Sequence, residues 1–137
     1  MLENTVLPKE ITFIGQRGSA TPDVAEPAEG IRIAEQTVLW LQRTLAAAKE
    51  HSGHPHFGIF GSSVSSIWLY GAMRERVKFF VDEDMQRVGR SFDGKPILLP
   101  SQVPAGAVIF VPLAKIVATP LARRLSKIGA HFILPPD

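Results

Sequence analysis

The sequence predicts an α/β fold, a mostly parallel β-sheet flanked by helices in three layers. Short apolar, β-branched segments alternate with stretches of helical periodicity from residue 31 onward. The connections between them are short and are marked by glycine and proline. Residues 77–81 are apolar except for Lys78, which is typical of a strand that is covered on both faces in a parallel sheet.

The first thirty residues differ from the rest of the chain. Residues 10–15 (EITFIG) predict a short strand, whereas residues 16–30 are rich in glycine, proline, serine and acidic residues and show no periodicity. A strand separated from the domain by such a linker has no partner there. We therefore expect residues 1–30 to be the tail of an upstream domain plus a flexible linker, and residues 31–137 to form one domain.

The periodicity within that domain predicts each element in turn. Apolar residues recur every three or four positions from Ile31 to Ala48, which indicates a helix ending before Gly53 and Pro55. Thr119 followed by Pro120 predicts the start of the last helix, and Gly129 its C-cap. The predicted helices are residues 31–50, 62–76 and a last one that starts at 119; the predicted strands are 57–60, 77–81, 97–99, 107–111 and 131–134.

Composition excludes several classes of protein. The chain of 137 residues has no cysteine and a formal net charge of +2. It therefore has no disulfide framework and no thiolate metal site, and the small charge gives no reason to expect nucleic acid as a partner. No apolar run is long enough to span a bilayer. We expect a cytoplasmic protein that binds neither nucleic acid nor membrane.

The turn after the first strand of the domain carries a partial nucleotide-binding motif. A dinucleotide fold uses three glycines there, for the tight turn, the approach of the pyrophosphate and the helix packing. With Gly61 in the first position, Ser63 and Ser66 occupy the other two. The hydroxyl groups of Ser62 and Ser63 and the N–H groups of a helix N-terminus still offer an anion site. The alternative is that the serines only fit a tight turn.

Charged residues follow the next strand. Asp82 lies 21 residues after Gly61, close to the spacing of a ribose-binding carboxylate, and Asp84 follows it. The alternative role of Asp82 is to cap a loop. Arg87 and Arg90 either meet a diphosphate or pair with nearby acidic side chains. The candidate substrate-binding residues are therefore Gly61, Ser62, Ser63, Asp82, Asp84, Arg87 and Arg90.

Other polar and aromatic clusters favour ordinary structural roles. His51, His54 and His56 surround a turn that does not fix their ring nitrogens around one ion, so we expect no metal site. Trp40 and Trp68 fall on predicted helices and indicate packing or an interface. The sequence contains no pattern of a catalytic triad, a zinc protease or a P-loop. We identify no catalytic residue.

The segments FGIFGSSVSSIWLYG, VKFFVDEDMQRVGRSFDGKPILLPSQVPAGAVIFVPL and HFILPP resemble the C-terminal domain of bacterial S-adenosylmethionine-dependent C-methyltransferases. The likeness covers roughly residues 31–137 and is most specific over residues 80–100. It implies a Rossmann-like module that binds no cofactor itself and follows a central domain with S-adenosylmethionine and the catalytic groups. The glycine-rich turn of the family appears here with serines and without its lysine.

The resemblance implies a function for the module and for the tail before it. Residues 10–15 would be the last strand of the catalytic domain, which is then the expected partner. In the deoxysugar members this module helps to enclose a nucleotide-sugar substrate. Two alternatives remain open: an interaction module that docks on the catalytic domain without a ligand, and a nucleotide-binding Rossmann domain that acts as a free-standing nicotinamide enzyme.

Overall fold

The computed structural model describes residues 27–136. Over that range the chain forms a mixed α/β structure with three α-helices and a six-stranded, mostly parallel sheet. The strand expected at residues 10–15 and most of the expected linker lie outside the described residues. In chain order the elements are α1 (Pro27–His51), β1 (Phe57–Phe60), α2 (Val64–Met73), β2 (Phe79–Val81), β3 (Ser91–Phe92), β4 (Lys95–Leu98), β5 (Val108–Phe110), α3 (Lys115–Leu125) and β6 (His131–Ile133).

The strands lie in the order β3-β4-β2-β1-β5-β6. Ile59 of β1 is level with Phe80 of β2 on one side and with Phe110 of β5 on the other, and both pairings are parallel. β4 and β6 continue the parallel arrangement outward, and β3 pairs antiparallel with β4 at one edge. The predicted parallel arrangement of the three central strands is confirmed. Because the chain proceeds from β1 to β2 on one side and later to β5 on the other, the strand order reverses beside β1.

Helices cover both faces of the sheet. Successive side chains of a strand point to opposite faces, so each strand contributes to two separate apolar clusters. The cluster beside α1 and α2 contains Ala48, Phe57, Ile59, Leu69, Phe80 and Phe110. The cluster beside α3 contains Phe60, Phe79, Val81, Ile109, Leu121 and Leu125. Burial on both faces explains why the central strands are apolar almost throughout.

One glycine of the sheet is fixed by its neighbour. Gly58 of β1 is level with Phe79 of β2. A Cβ atom at Gly58 would lie 2.4 Å from a carbon of the Phe79 ring, which is closer than real Cβ atoms approach. Glycine at this position lets the ring lie directly over the neighbouring strand.

Two helix starts differ from the sequence-based expectation. α1 begins at Pro27, so residues 27–30 are helical rather than linker; proline is favoured in a first turn because its missing N–H has no partner there in any case. The last helix begins at Lys115, and Pro120 lies inside it. Ala118, one turn before Leu121, is buried in the core. The packing of Ala118 explains why α3 extends upstream of Pro120. Proline has no N–H, so the helix loses only the hydrogen bond from position 120 to a carbonyl of its first turn.

The edge hairpin was not predicted from the sequence. β3 and β4 are joined by Asp93 and Gly94, which have φ values of 50° and 75°. Two residues with positive φ are characteristic of a type I′ hairpin turn, for which Asp-Gly is a preferred sequence. The hairpin could therefore have been predicted from the Asp-Gly dipeptide in the sequence. Gly129 has the left-handed conformation of a C-cap, but it ends a short 3-10 helix (Ser126–Ile128) that follows α3, and the C-cap of α3 itself is Ser126.

None of the helices within residues 27–136 combines the length and the apolar character that a membrane span requires.

Candidate functional site

The carboxyl ends of β1, β2 and β5 surround a pocket of about 440 Å³. This edge, next to the reversal of strand order, is where open parallel sheets bind ligands. The loop after β1 and the loop after β2 supply its polar lining. Phe60, Leu113 and Val117 supply its apolar lining. The pocket therefore has one polar side and one apolar side.

Glycine is required at the start of the turn after β1. Gly61 has a φ of 76°, in the left-handed region that other residues rarely adopt. Its N–H donates to the carbonyl of Val81, which holds the turn against the end of β2. The first glycine of the partial motif thus has the role that the sequence suggested, a sharp exit from the strand.

The serines at the other two motif positions are used inside the protein. Ser63 is the N-cap of α2, and its hydroxyl oxygen accepts a hydrogen bond from the N–H of Ser66. Ser66 is fully buried, and its own hydroxyl donates to the carbonyl of Phe60 at 3.0 Å. These side chains stabilise the strand-turn-helix junction. In a dinucleotide fold, glycines at these two positions leave room for the pyrophosphate and for close helix packing.

Ser65 ties the same helix start to the third strand of the site. Its hydroxyl donates to the carbonyl of Pro112, which follows β5. The loop after β5 is thereby held beside the turn after β1, and Leu113 lies next to it in the pocket wall. The serine-rich turn is a connector between two loops as well as a helix cap.

Asp82 is the best-enclosed charged residue of the pocket, with 8% of its surface exposed. Its Oδ2 atom accepts hydrogen bonds from the hydroxyl of Ser62 at 3.1 Å and from Nη1 of Arg87 at 3.4 Å. Its Oδ1 atom accepts from the N–H of Asp84 at 3.0 Å. Burial of a carboxylate is tolerated when it is paired and hydrogen-bonded in this way.

Arg87 joins the two polar loops. Its Nη1 atom also donates to the hydroxyl oxygen of Ser62, and its Nε atom lies 3.4 Å from Oδ2 of Asp84. A planar guanidinium with several fixed N–H groups is suited to bridging such acceptors. Of the two outcomes considered for this arginine, the structure shows pairing with acidic side chains.

Glu83, the acidic residue between Asp82 and Asp84, has a different partner. Glu83 forms a two-pronged ion pair with Arg124 of α3, in which each carboxylate oxygen faces one guanidinium nitrogen. The contact raises the pKa of Arg124, because the charged guanidinium is hydrogen-bonded to a carboxylate. It links α3 to the loop after β2 and leaves Asp82 and Asp84 as the acids that accompany Arg87.

The structure brings six of the seven predicted site residues together around this pocket. They are Gly61, Ser62, Ser63, Asp82, Asp84 and Arg87. Arg90 is exposed and lies outside the lining; its N–H donates to the carbonyl of Arg87 at the end of a turn. The turn directs the side chains of Arg87 and Arg90 to different places, so only one of them reaches the acids.

Comparisons with protein-family models, curated proteins and solved structures found no match to this chain.

From the sequence, the region after Val111 is expected at this edge, but the residues that form the apolar wall of the pocket were not identified. Leu113 and Val117 come from the loop after β5 and from the first turns of α3. The sequence signal that could have identified these two residues is their position just after the apolar strand β5, because the carboxyl ends of parallel strands share one edge. The late start predicted for α3 left Val117 outside any element.

The histidine cluster shows only local contacts. His54 accepts a hydrogen bond from the N–H of His56 through Nδ1, and their ring centroids are 6.3 Å apart. Across residues 27–136, no group of three or more His, Cys, Asp or Glu side chains is arranged to hold a metal ion.

The chemistry of the pocket is that of hydrogen-bond recognition. Three carboxylates, two hydroxyl groups and one guanidinium line it, and one of the carboxylates, that of Glu83, is paired with Arg124. Carboxylates accept hydrogen bonds from hydroxyl groups, and their combined charge opposes a phosphate placed directly beside them. In contrast, the backbone N–H groups of Ser62 and Ser63 have no hydrogen-bond partner within the described part of the chain. The pocket thus offers acceptors on the side of β2 and donors on the side of β1.

Proposed function

We propose that this pocket binds the sugar portion of a nucleotide-sugar or related acceptor, with sugar hydroxyl groups donating to Asp82. The observation that carries the proposal is the buried, fixed carboxylate at the end of β2, which faces a pocket beside the Gly61 turn. In nucleotide-binding α/β folds, an acid at this place accepts hydrogen bonds from ribose hydroxyl groups. A carboxylate that is already oriented binds hydroxyl groups without first losing side-chain freedom.

The remaining lining supports an elongated ligand with distinct parts. The N–H groups of Ser62 and Ser63 at the start of α2, which have no hydrogen-bond partner among the described residues, suit a phosphate oxygen. Leu113 and Val117 suit an apolar face of the ligand. Arg87 fixes the polar side of the pocket. Its Nη1 atom contacts Ser62 and Asp82, and its Nε atom lies beside Asp84.

We further propose that the chain is a Rossmann-like, three-layer module of a methyltransferase that uses S-adenosylmethionine. The order of the parallel strands, the helices on both faces and the acid after β2 support the fold assignment. The resemblance of residues 31–137 to the C-terminal domain of C-methyltransferases supports the role. In this proposal the module binds the acceptor, and a separate domain of the same polypeptide holds the cofactor and performs the transfer.

Nuclear magnetic resonance titration of the whole chain tests the acceptor site. Uridine diphosphate glucose and other nucleoside diphosphate sugars, added at millimolar concentration, should shift the amide signals of Gly61, Ser62 and Asp82. Asp82→Asn should weaken binding at least about tenfold, since hydrogen bonds to a charged group contribute roughly 1.5–3 kcal/mol. Asp93→Asn is the matched control, because Asp93 lies outside the pocket and should leave the affinity unchanged. The absence of any shift at the pocket would refute the proposal.

A second candidate is an interaction module that docks on a catalytic domain without binding a ligand. It is favoured by apolar side chains next to the pocket lining: Val64 is 85% exposed, Met85 71% and Ile116 86%. Exposed apolar side chains grouped at one edge indicate a contact surface. This candidate predicts that the titration leaves the pocket signals unchanged. It also predicts that Ile116→Asp impairs methyl transfer in the complete enzyme while Asp82→Asn does not.

A further inference from the structure

The polar side and the apolar side of the pocket belong to elements that are held in different ways. α3 carries Val117 of the apolar side and is anchored on the sheet by Leu121 and Leu125, which are buried in the core. The acidic residues 82–84 follow β2 and have no regular secondary structure. The width of the pocket therefore depends on how this acidic loop is held relative to α3.

Glu83 provides a contact between the acidic loop and the helix. It lines the pocket, and its two carboxylate oxygens accept hydrogen bonds from the two terminal nitrogens of the Arg124 guanidinium. Val117 and Arg124 are separated by about two turns of α3, so they lie on the same side of the helix. That side of α3 thus supplies both a wall of the pocket and the partner of the acidic loop.

The form of this ion pair suits a positioning role. Two parallel hydrogen bonds fix the orientation of the carboxylate relative to the guanidinium as well as their separation. The side chains of Glu83 and Arg124 are 38% and 58% exposed, so water screens their attraction and the pair adds little to the stability of the whole fold. The pair can therefore be removed without unfolding the protein, and its effect is local.

We propose that Arg124 is a positioning residue, which acts through Glu83 to set the distance between the acids of the pocket and its apolar side. This inference rests on the proposed function, because a ligand that donates hydroxyl groups to Asp82 and packs on Val117 must fit both at once. Ser62 holds Asp82 against the turn after β1, and Arg124 holds the next residue against α3. A loop that is fixed on both sides binds such a ligand without first having to be ordered.

Hydrogen exchange in the absence of any ligand tests the positioning itself. The N–H of Asp84 donates to Oδ1 of Asp82, so its exchange rate reports on the order of the acidic loop. In Arg124→Gln this exchange should be about fivefold faster than in the wild type. Arg123→Gln is the matched control, because Arg123 is exposed and its side chain has no partner among the described residues. Equal rates in the wild type and in Arg124→Gln would overturn the proposal.

Binding of uridine diphosphate glucose, followed by nuclear magnetic resonance, separates positioning from charge neutralisation. Arg124→Lys keeps the positive charge but loses the two-pronged geometry. The double variant Glu83→Gln with Arg124→Gln removes both charges together. Positioning predicts that the dissociation constant rises about fivefold in both variants, while Arg123→Gln leaves it unchanged. Wild-type affinity in either variant would show that only the charge of Glu83 has to be balanced, and the proposal would fail.

The two tests distinguish this proposal from the proposed function. If the wild type does not bind the nucleotide-sugar but the exchange of Asp84 depends on Arg124, the acceptor function fails and the positioning contact stands. If the wild type binds and the Arg124 variants bind equally well, the acceptor function stands and the positioning role fails.

Discussion

The hydroxyl group of Ser62 donates a hydrogen bond to Oδ2 of Asp82, and this 3.1 Å contact joins the ends of two neighbouring parallel strands. The two residues are twenty positions apart. The turn after β1 and the loop after β2 are therefore fixed relative to each other before any ligand arrives. Such prior order lowers the entropy that binding must offset.

Ser62→Ala removes this contact and should destabilise the fold by about 1 kcal/mol, the usual net contribution of one hydrogen bond. The variant also removes an acceptor of Arg87. Urea denaturation measures the change. Ser101→Ala is the control, because Ser101 is exposed and its hydroxyl makes no hydrogen bond to residues 27–136; equal effects of the two changes would contradict the role of Ser62.

Gly58→Ala should destabilise the protein by about 2 kcal/mol, because the new methyl group overlaps the Phe79 ring and forces it to move. Thermal or urea unfolding monitors the effect. Gly53→Ala provides the comparison: nothing lies within 4 Å of a Cβ atom at that position. If Gly58→Ala were as mild as Gly53→Ala, the packing of Phe79 over β1 would have to be different.

Thr44→Val should stabilise the protein by about 1 kcal/mol. Thr44 is 1% exposed, and its hydroxyl has no hydrogen-bond partner among the described residues. Valine has a similar shape and removes the desolvated hydroxyl, whose burial costs free energy. The matched change Thr37→Val removes a hydroxyl that is exposed and bonded to the carbonyl of Ile33. A loss of stability in Thr44→Val would mean that its hydroxyl is hydrogen-bonded in solution.

Tyr70 should make the stability of the fold dependent on alkaline pH. Burial and its hydrogen bond to Asp93 raise the pKa of Tyr70 above the usual value of 10.0. The folded state therefore holds the phenol proton more tightly than the unfolded state. This contribution is complete below about pH 10 and is lost as the pH rises through the folded-state pKa.

The comparison of wild type with Tyr70→Phe isolates this effect from the titration of lysines. Between pH 8 and pH 11, chosen to bracket the ordinary tyrosine pKa of about 10, the wild type should lose more unfolding free energy than the variant. Urea denaturation at each pH gives the two curves. Parallel curves would show that the Tyr70 phenol titrates alike in the folded and unfolded states.

The sequence by itself determined the order of most elements and the edge at which polar residues meet. The apolar run at residues 77–81 required burial on both faces, and hence a parallel sheet whose strand ends lie together. Gly61 and Asp82 each follow a strand in the chain, so their meeting at one edge followed from that topology alone. Local patterns are sufficient here because strand character and strand direction are encoded within short segments.

Only the tertiary structure decided which side chains touch. Arg87 reaches Asp82 whereas Arg90 does not, and Glu83 pairs with Arg124 on a helix 41 positions away. α3 begins before Pro120 because Ala118 packs in the core. These outcomes depend on sheet register, on the direction of each turn and on packing between distant segments. Local sequence patterns do not predict these contacts, because the partner of a side chain depends on where the fold places both residues.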